Sequence, residues 1–91
     1  MLTMLKTDLG ILTTTAYDAR LTQLLTAAEK AITAEGASTL DASDAMDMQL
    51  IVMYAAWLWR RRDNMDGMPR MLRLALNNRV FGEVAGSDGD G

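Results

Sequence analysis

Read at 100° per residue, the apolar positions of this chain fall into four helical stripes separated by glycines and polar breaks. Over Leu2–Leu9, Leu2, Leu5 and Leu9 share one stripe. That segment is too short to be stable alone. Over Ala16–Glu35, Tyr17, Leu21, Leu24, Leu25, Ala28 and Ile32 gather within about a third of the circle. Thr22, Gln23, Thr26, Glu29, Lys30 and Thr33 lie opposite, which predicts an amphipathic helix with one wet face. Thr13–Thr15 offer an N-cap, and Asp18 suits the positive end of the helix dipole.

The third segment, Asp44–Asp63, has a different pattern. Met46, Leu50, Met53 and Trp57 form one stripe; Ile51, Tyr54, Ala55 and Leu58 form a second; Val52 and Trp59 cover much of the remaining side. Ser43 or Asp44 is the expected cap. The fourth segment, Pro69–Val80, sets Met68, Met71, Leu72, Ala75 and Leu76 on an apolar side and Arg70, Arg73 and Asn77 on the other. Gly10, Gly36 and Gly67 follow the first three segments, where a left-handed residue is wanted. Pro69 stands at a first helical turn. Nothing reads as a β-hairpin, a βαβ unit or an internal repeat. The expectation is an all-α, four-helix bundle-like subunit: a short N-terminal helix, two long helices and a C-terminal helix, followed by a short extended tail. Residues 1–85 form one domain and 86–91 a flexible Gly/Asp-rich end. Leu21, Leu25 and Ile32 are expected to pack on Leu50, Met53, Trp57 and Leu72.

A helix apolar on every side must be buried on every side. Three short partners from one small chain hardly suffice for that, so Val52 and Trp59 are expected at a contact with another subunit. Size points the same way. At 91 residues a domain buries only about 60% of its unfolded surface, and with no cysteine no disulfide supplements the core. Eight methionines fit either an irregular core or an adaptable contact surface.

Charge is unevenly placed. The net value is −3, a poor balance for wrapping nucleic acid. Residues 60–79 nevertheless carry all of Arg60, Arg61, Arg62, Arg70, Arg73 and Arg79 against only Asp63 and Asp66. The first five are expected to serve protein contacts, pairing with acids of an adjacent subunit or partner. Arg79 points toward the apolar stripe, to serve the last carbonyls or to reach a neighbour. A helix-turn-helix DNA reader with the fourth segment in the groove is the competing use of this patch. The acidic total opposes it, as does the shortage of base-reading residues besides Asn77 and Asn78.

Catalytic chemistry finds little footing. Without histidine or cysteine, Ser38, Ser43 and Ser87 have no imidazole partner, and Cys/His metal sites are excluded. No phosphate-cradling glycine loop occurs. Asp41, Asp44 and Asp47 lack the alternation of a calcium loop, and capping explains them more cheaply. No enzyme activity and no cofactor are expected. The longest apolar run, Leu50–Trp59, is about half of what a membrane span needs. No basic stretch leads into an apolar signal segment, so a soluble chain is the expectation.

Three stretches, LKTDLGILTTTAYDARLTQLLTAAEKAITAE (Leu5–Glu35), QLIVMYAAWLWRRR (Gln49–Arg62) and MPRMLRLALNNRV (Met68–Val80), resemble in content and order the small all-α head–tail connector (head-completion or adaptor) proteins of tailed bacteriophages. The resemblance implies a virion structural protein at the head–tail junction. Such proteins form a homo-oligomeric ring, usually of twelve subunits, beneath the portal protein. The ring extends the channel through which double-stranded DNA passes and offers a docking surface to a tail or stopper protein. The short Gly/Asp-rich end departs from larger members. Within Arg79–Ala85 lies the chain's strand-forming cluster, Val80, Phe81 and Val84, and Gly82 is expected to break the helix. An extended piece of this kind adds to a sheet edge. Since the family's C-terminal ends reach toward the portal, Arg79, Val80, Phe81, Glu83 and Val84 are the portal-docking candidates. The alternative function is a small helical DNA-binding or regulatory interaction module.

Overall fold

In a computed structural model that describes residues 1–11, 13–61 and 67–89 (83–89 by backbone alone), the helical stripes become four helices. They are α1 (Leu2–Leu9), α2 (Asp18–Glu35), α3 (Ala45–Arg61) and α4 (Arg70–Gly89). Among the described residues there is no strand, so the all-α class holds.

The breaks follow from local chemistry. Gly10 takes the left-handed conformation, φ 73°, where a side chain is disfavoured. Its N–H donates to the Thr7 carbonyl, and the Ile11 N–H reaches back to the Lys6 carbonyl, closing α1. Gly36 ends α2 at φ 132°. A Cβ there would also stand 2.9 Å from Cγ1 of Val80. Glycine at 36 therefore lets both the turn and the docking of α4 occur. The expected threonine cap of α2 is not made. Tyr17 occupies the N-cap without a side-chain bond, while the Thr14 hydroxyl accepts the Ala16 N–H one turn too early. Asp18 serves the first turn, and its carboxylate is held 2.9 Å from the Lys6 ammonium of α1. At α3, Asp44 is the cap: its Oδ2 accepts the N–H groups of Met46 and Asp47, both at 3.1 Å.

α3 is the central element, with α1 and α2 packed on it on one side and α4 on another. Leu5, Leu21, Ile32, Ile51 and Leu76 are the largest fully buried side chains. The expected core residues Leu21, Leu25, Ile32, Leu50 and Leu72 are buried; Met53 and Trp57 pack against the cluster half-covered.

The extended tail is corrected. α4 does not stop near Val80 but continues through Gly82 to Gly89. Gly82 and Gly86 inside the helix each cost only about 1 kcal/mol relative to alanine, and adding residues to an existing helix is far easier than starting one. The helix also crosses the 85/86 boundary drawn from composition.

Candidate assembly surface

The N-terminal end of α3 and the middle of α4 are joined by an ionic clasp. Asp47, 7% exposed, accepts at Oδ1 from Nε of Arg79 at 2.7 Å and at Oδ2 from its Nη2 at 3.3 Å. The same Oδ2 takes the Asp41 N–H at 3.0 Å, and Arg79 also donates to the Thr39 hydroxyl at 3.2 Å. The arginine hydrogen bond holds the Asp47 carboxyl below its ordinary range; burial opposes the shift and the Asp41 N–H reinforces it. One carboxylate thus fixes α4, the α2–α3 loop and the start of α3 together. Asp41 is likewise lowered, by the Ser43 hydroxyl and N–H. Arg79 is thus engaged within the chain as an internal strut.

Between α3 and α4 runs a furrow made of two clefts that meet at Met53. One, of about 510 Å³, is lined by Asp44, Met46, Leu50, Ala75 and Asn78 among others. The other, of about 520 Å³, lies by Trp57, Arg60, Arg61, Pro69 and Met71. One end of the furrow carries Asp44 beside the Asp47–Arg79 pair, the other Arg60 and Arg61 beside Asp8.

At the arginine end, Arg60 donates from Nη2 to the Asp8 carbonyl at 3.2 Å and lies 3.4 Å from the Asp8 carboxylate. The Arg61 guanidinium sits 5.0 Å over the Trp57 ring, an attractive cation–π arrangement. Tyr54 meets Trp57 edge-on at 5.4 Å. Arg70 and Arg73 are exposed and make no ion pair with another described residue. Arg62 lies outside the described residues.

Two interface candidates are covered from within the chain, Val52 wholly and Trp59 in part. Val52 is 5% exposed, a member of the core. Together with Met53 it faces Thr3, Met4, Thr7 and Asp8 of α1 across a shallow groove. Trp59 is half-buried, with Tyr17 packed edge-to-face at 5.2 Å. The physical reason is that α1, eight residues along α3, covers the Val52 side, and Tyr17 at the start of α2 covers Trp59. The all-round apolarity of α3 is met within one chain and does not by itself require a second subunit.

The docking candidates divide in the same way. Val80 packs inward beside Gly36, while Phe81 projects outward, 73% exposed, from helical backbone. Glu83 and Val84 lie on the same helix, their side chains outside the description. Three residues that the sequence placed on apolar stripes, or left unassigned, are instead open to solvent: Met46 (81%), Met71 (77%) and Leu74 (50%). A signal for Leu74 was present. It stands seven residues before Phe81, on the same side of the helix as Arg70 and Asn77.

Among the described residues no group of three or more acidic, histidine or cysteine side chains could hold a metal ion. No described helix is long and apolar enough to cross a membrane. No family model, curated protein or solved structure matches the chain.

Proposed function

We propose that this chain is a structural assembly subunit of the head–tail connector type. In this reading it forms a homo-oligomeric ring, of twelve in the usual family arrangement, beneath a portal protein at the head–tail junction of a virion. Double-stranded DNA passes through the ring without sequence-specific contact, and a tail or stopper protein docks on its far side. The observation that carries the reading is the combination of large open apolar side chains with segregated charge on a small all-α chain. Met46, Met71, Leu74 and Phe81 stand exposed, and three of them share one helix beside Arg70 and Arg73. Exposed apolar groups rimmed by charge mark protein contact. The helices also follow the order that the resemblance implies. The acidic total, −3, suits a channel through which DNA must slide, since a basic lumen would hold phosphates.

Portal docking falls to the C-terminal half of α4 as a helix, with Phe81 as its exposed anchor. The test is co-migration of the full chain with its cognate portal ring. The wild-type chain is expected to bind and Phe81→Asp to lose binding, while both keep the same helical circular dichroism. A chain that ignores the portal and instead shifts a specific DNA duplex would establish the regulatory-module alternative.

A further inference from the structure

The chain's own helices leave the furrow between α3 and α4 open. Its α3 wall is the stripe Met46, Leu50, Met53 and Trp57; its α4 wall is Met71, Ala75 and Asn78, spaced i, i+4 and i+7. Rows at such spacings are the ridges on which helices pack, and the groove between two of them takes the side chains of a third helix at the same spacing. The walls do not close on each other. Met46 and Met71 are exposed, and Met53, Trp57 and Ala75 are half-buried. The two clefts, of about 510 and 520 Å³, are each several times the roughly 150 Å³ that holds a benzene ring. Methionine in three wall positions lets the furrow adapt to the shape it receives. At its ends, Asp47 is taken by Arg79 and Arg60 by Asp8. Asp44 at one end and Arg61 at the other have no ion pair among the described residues. They stand about 25 Å apart along α3 at 1.5 Å per residue.

We propose that the furrow seats an amphipathic helix of another protein, apolar on one stripe, acidic at its N-terminal end and basic at its C-terminal end, lying antiparallel to α3. The direction follows from charge. Acids suit the N-terminus of a helix and bases its C-terminus, so such a helix meets Arg61 with its acids and Asp44 with its bases only when it runs against α3. Its apolar side chains enter the two clefts on either side of Met53, the helix-in-groove mode of recognition. Other occupants fit less well. No strand edge exists among the described residues for an extended peptide to join. A small apolar molecule fills one cleft and leaves both charges unused. The longest stretch of this chain outside the described residues, 62–66, spans only about 8 Å as helix. Within this chain only α3 has acid in its first turn and base in its last. Its own open stripe is sunk in the furrow, so a second copy offers no matching ridge. The inference goes beyond the connector reading and does not rest on it, since Phe81, the portal anchor, lies outside both clefts.

The experiment adds a hydrocarbon-stapled helical peptide to the full chain labelled with carbon-13 at its methionine methyls. The peptide has about 17 residues, to match the span, with leucines on one stripe, glutamates in its first turn and lysines in its last. The methyls of Met46, Met53 and Met71 are expected to shift, while that of Met1, the cap of α1, does not. A spin label on the peptide's N-terminus is expected to broaden Met71 more than Met46. Ala75→Gln narrows the furrow and is expected to weaken binding roughly tenfold or more, with circular dichroism unchanged. Arg61→Glu, at an exposed position, is expected to weaken it as well. A peptide with lysines in place of its glutamates should then bind Arg61→Glu better than it binds wild type, the mark of a direct pairing. Methyls that stay put up to millimolar peptide overturn the proposal. So does equal binding by a proline-broken peptide of the same composition, by Ala75→Gln, or with the spin label nearer Met46. Shifts of the same methyls with the chain's own concentration, and no peptide present, would make the occupant a second copy and also overturn it. Portal co-migration is read separately. A chain that binds portal and refuses the peptide keeps the connector reading and loses this site; one that takes the peptide and ignores portal does the reverse.

Discussion

Removing the Asp47 carboxylate isolates the clasp that ties α4 to the rest of the molecule. Asp47→Ala deletes two hydrogen bonds from Arg79 and one from the Asp41 N–H. It also leaves Arg79 without its counter-ion. Breaking a fully buried ion pair by removing one partner costs about 3–5 kcal/mol. Here the side chains are 22% and 9% exposed, so water reaches the orphaned guanidinium, and the expected loss is discounted to about 2 kcal/mol. For a domain of this size that lowers Tm by about 10 °C. The assay is equilibrium urea unfolding followed by far-ultraviolet circular dichroism, at neutral pH and along an acid series. The sign with pH is fixed by the direction of the shift. The Asp47 carboxyl is lowered from its ordinary 3.8 in the folded chain. Its contribution is fully present above that value and disappears as pH falls through the folded one. The gap between wild type and Asp47→Ala is therefore flat at neutral pH and closes in the acid range below pH 3.8. Adding Arg79→Met to Asp47→Ala removes the unpaired cation and is expected to recover part of the loss. A single variant within about 0.5 kcal/mol of wild type, the range of ordinary surface changes, would refute the reasoning. So would a double variant no more stable than the single one.

Gly36→Ala is expected to cost more than about 1 kcal/mol in urea unfolding, from the positive φ and the approach to Val80. Adding Val80→Ala should return only the steric part of that loss. Leu5→Ala is expected to cost about 2–5 kcal/mol, since Leu5 is fully buried; a loss under about 1 kcal/mol would mean that α1 is not docked on α3. In gel shifts at several salt concentrations, the chain is expected to give no sequence-specific band. Retardation of one duplex that withstands unlabelled competitor would contradict this.

Periodicity and capping chemistry are local properties, and the sequence carried them well. α1 begins and ends where its leucine stripe and Gly10 place it. The wet face of α2 and the Asp44 cap of α3 follow from residues within a turn of each other. The C-terminal reach of α4 runs against equally local signals, because β-branching and the glycines at 82 and 86 weigh little against a helix already formed and held by Leu72, Leu76 and Val80.

What covers an apolar stripe is not local. Val52 looked unpartnered on α3 because no spacing rule shows that an eight-residue helix fifty positions earlier lies over it. The same holds for Trp59 beneath Tyr17. Five of the six arginines clustered in sequence are described, and only tertiary neighbours sort them: Asp8 takes Arg60, the Trp57 ring takes Arg61, and Asp47 takes Arg79. Arg70 and Arg73 are left facing outward beside Met71 and Leu74. The sequence by itself determined where the four helices lie, apart from the C-terminal reach of α4, and which charges exist. The packing of α1 and α4 on α3 decided which of those groups are used up inside one chain, and so which remain to meet a partner. That division depends on distances between residues far apart in sequence, and helical periodicity carries no record of them.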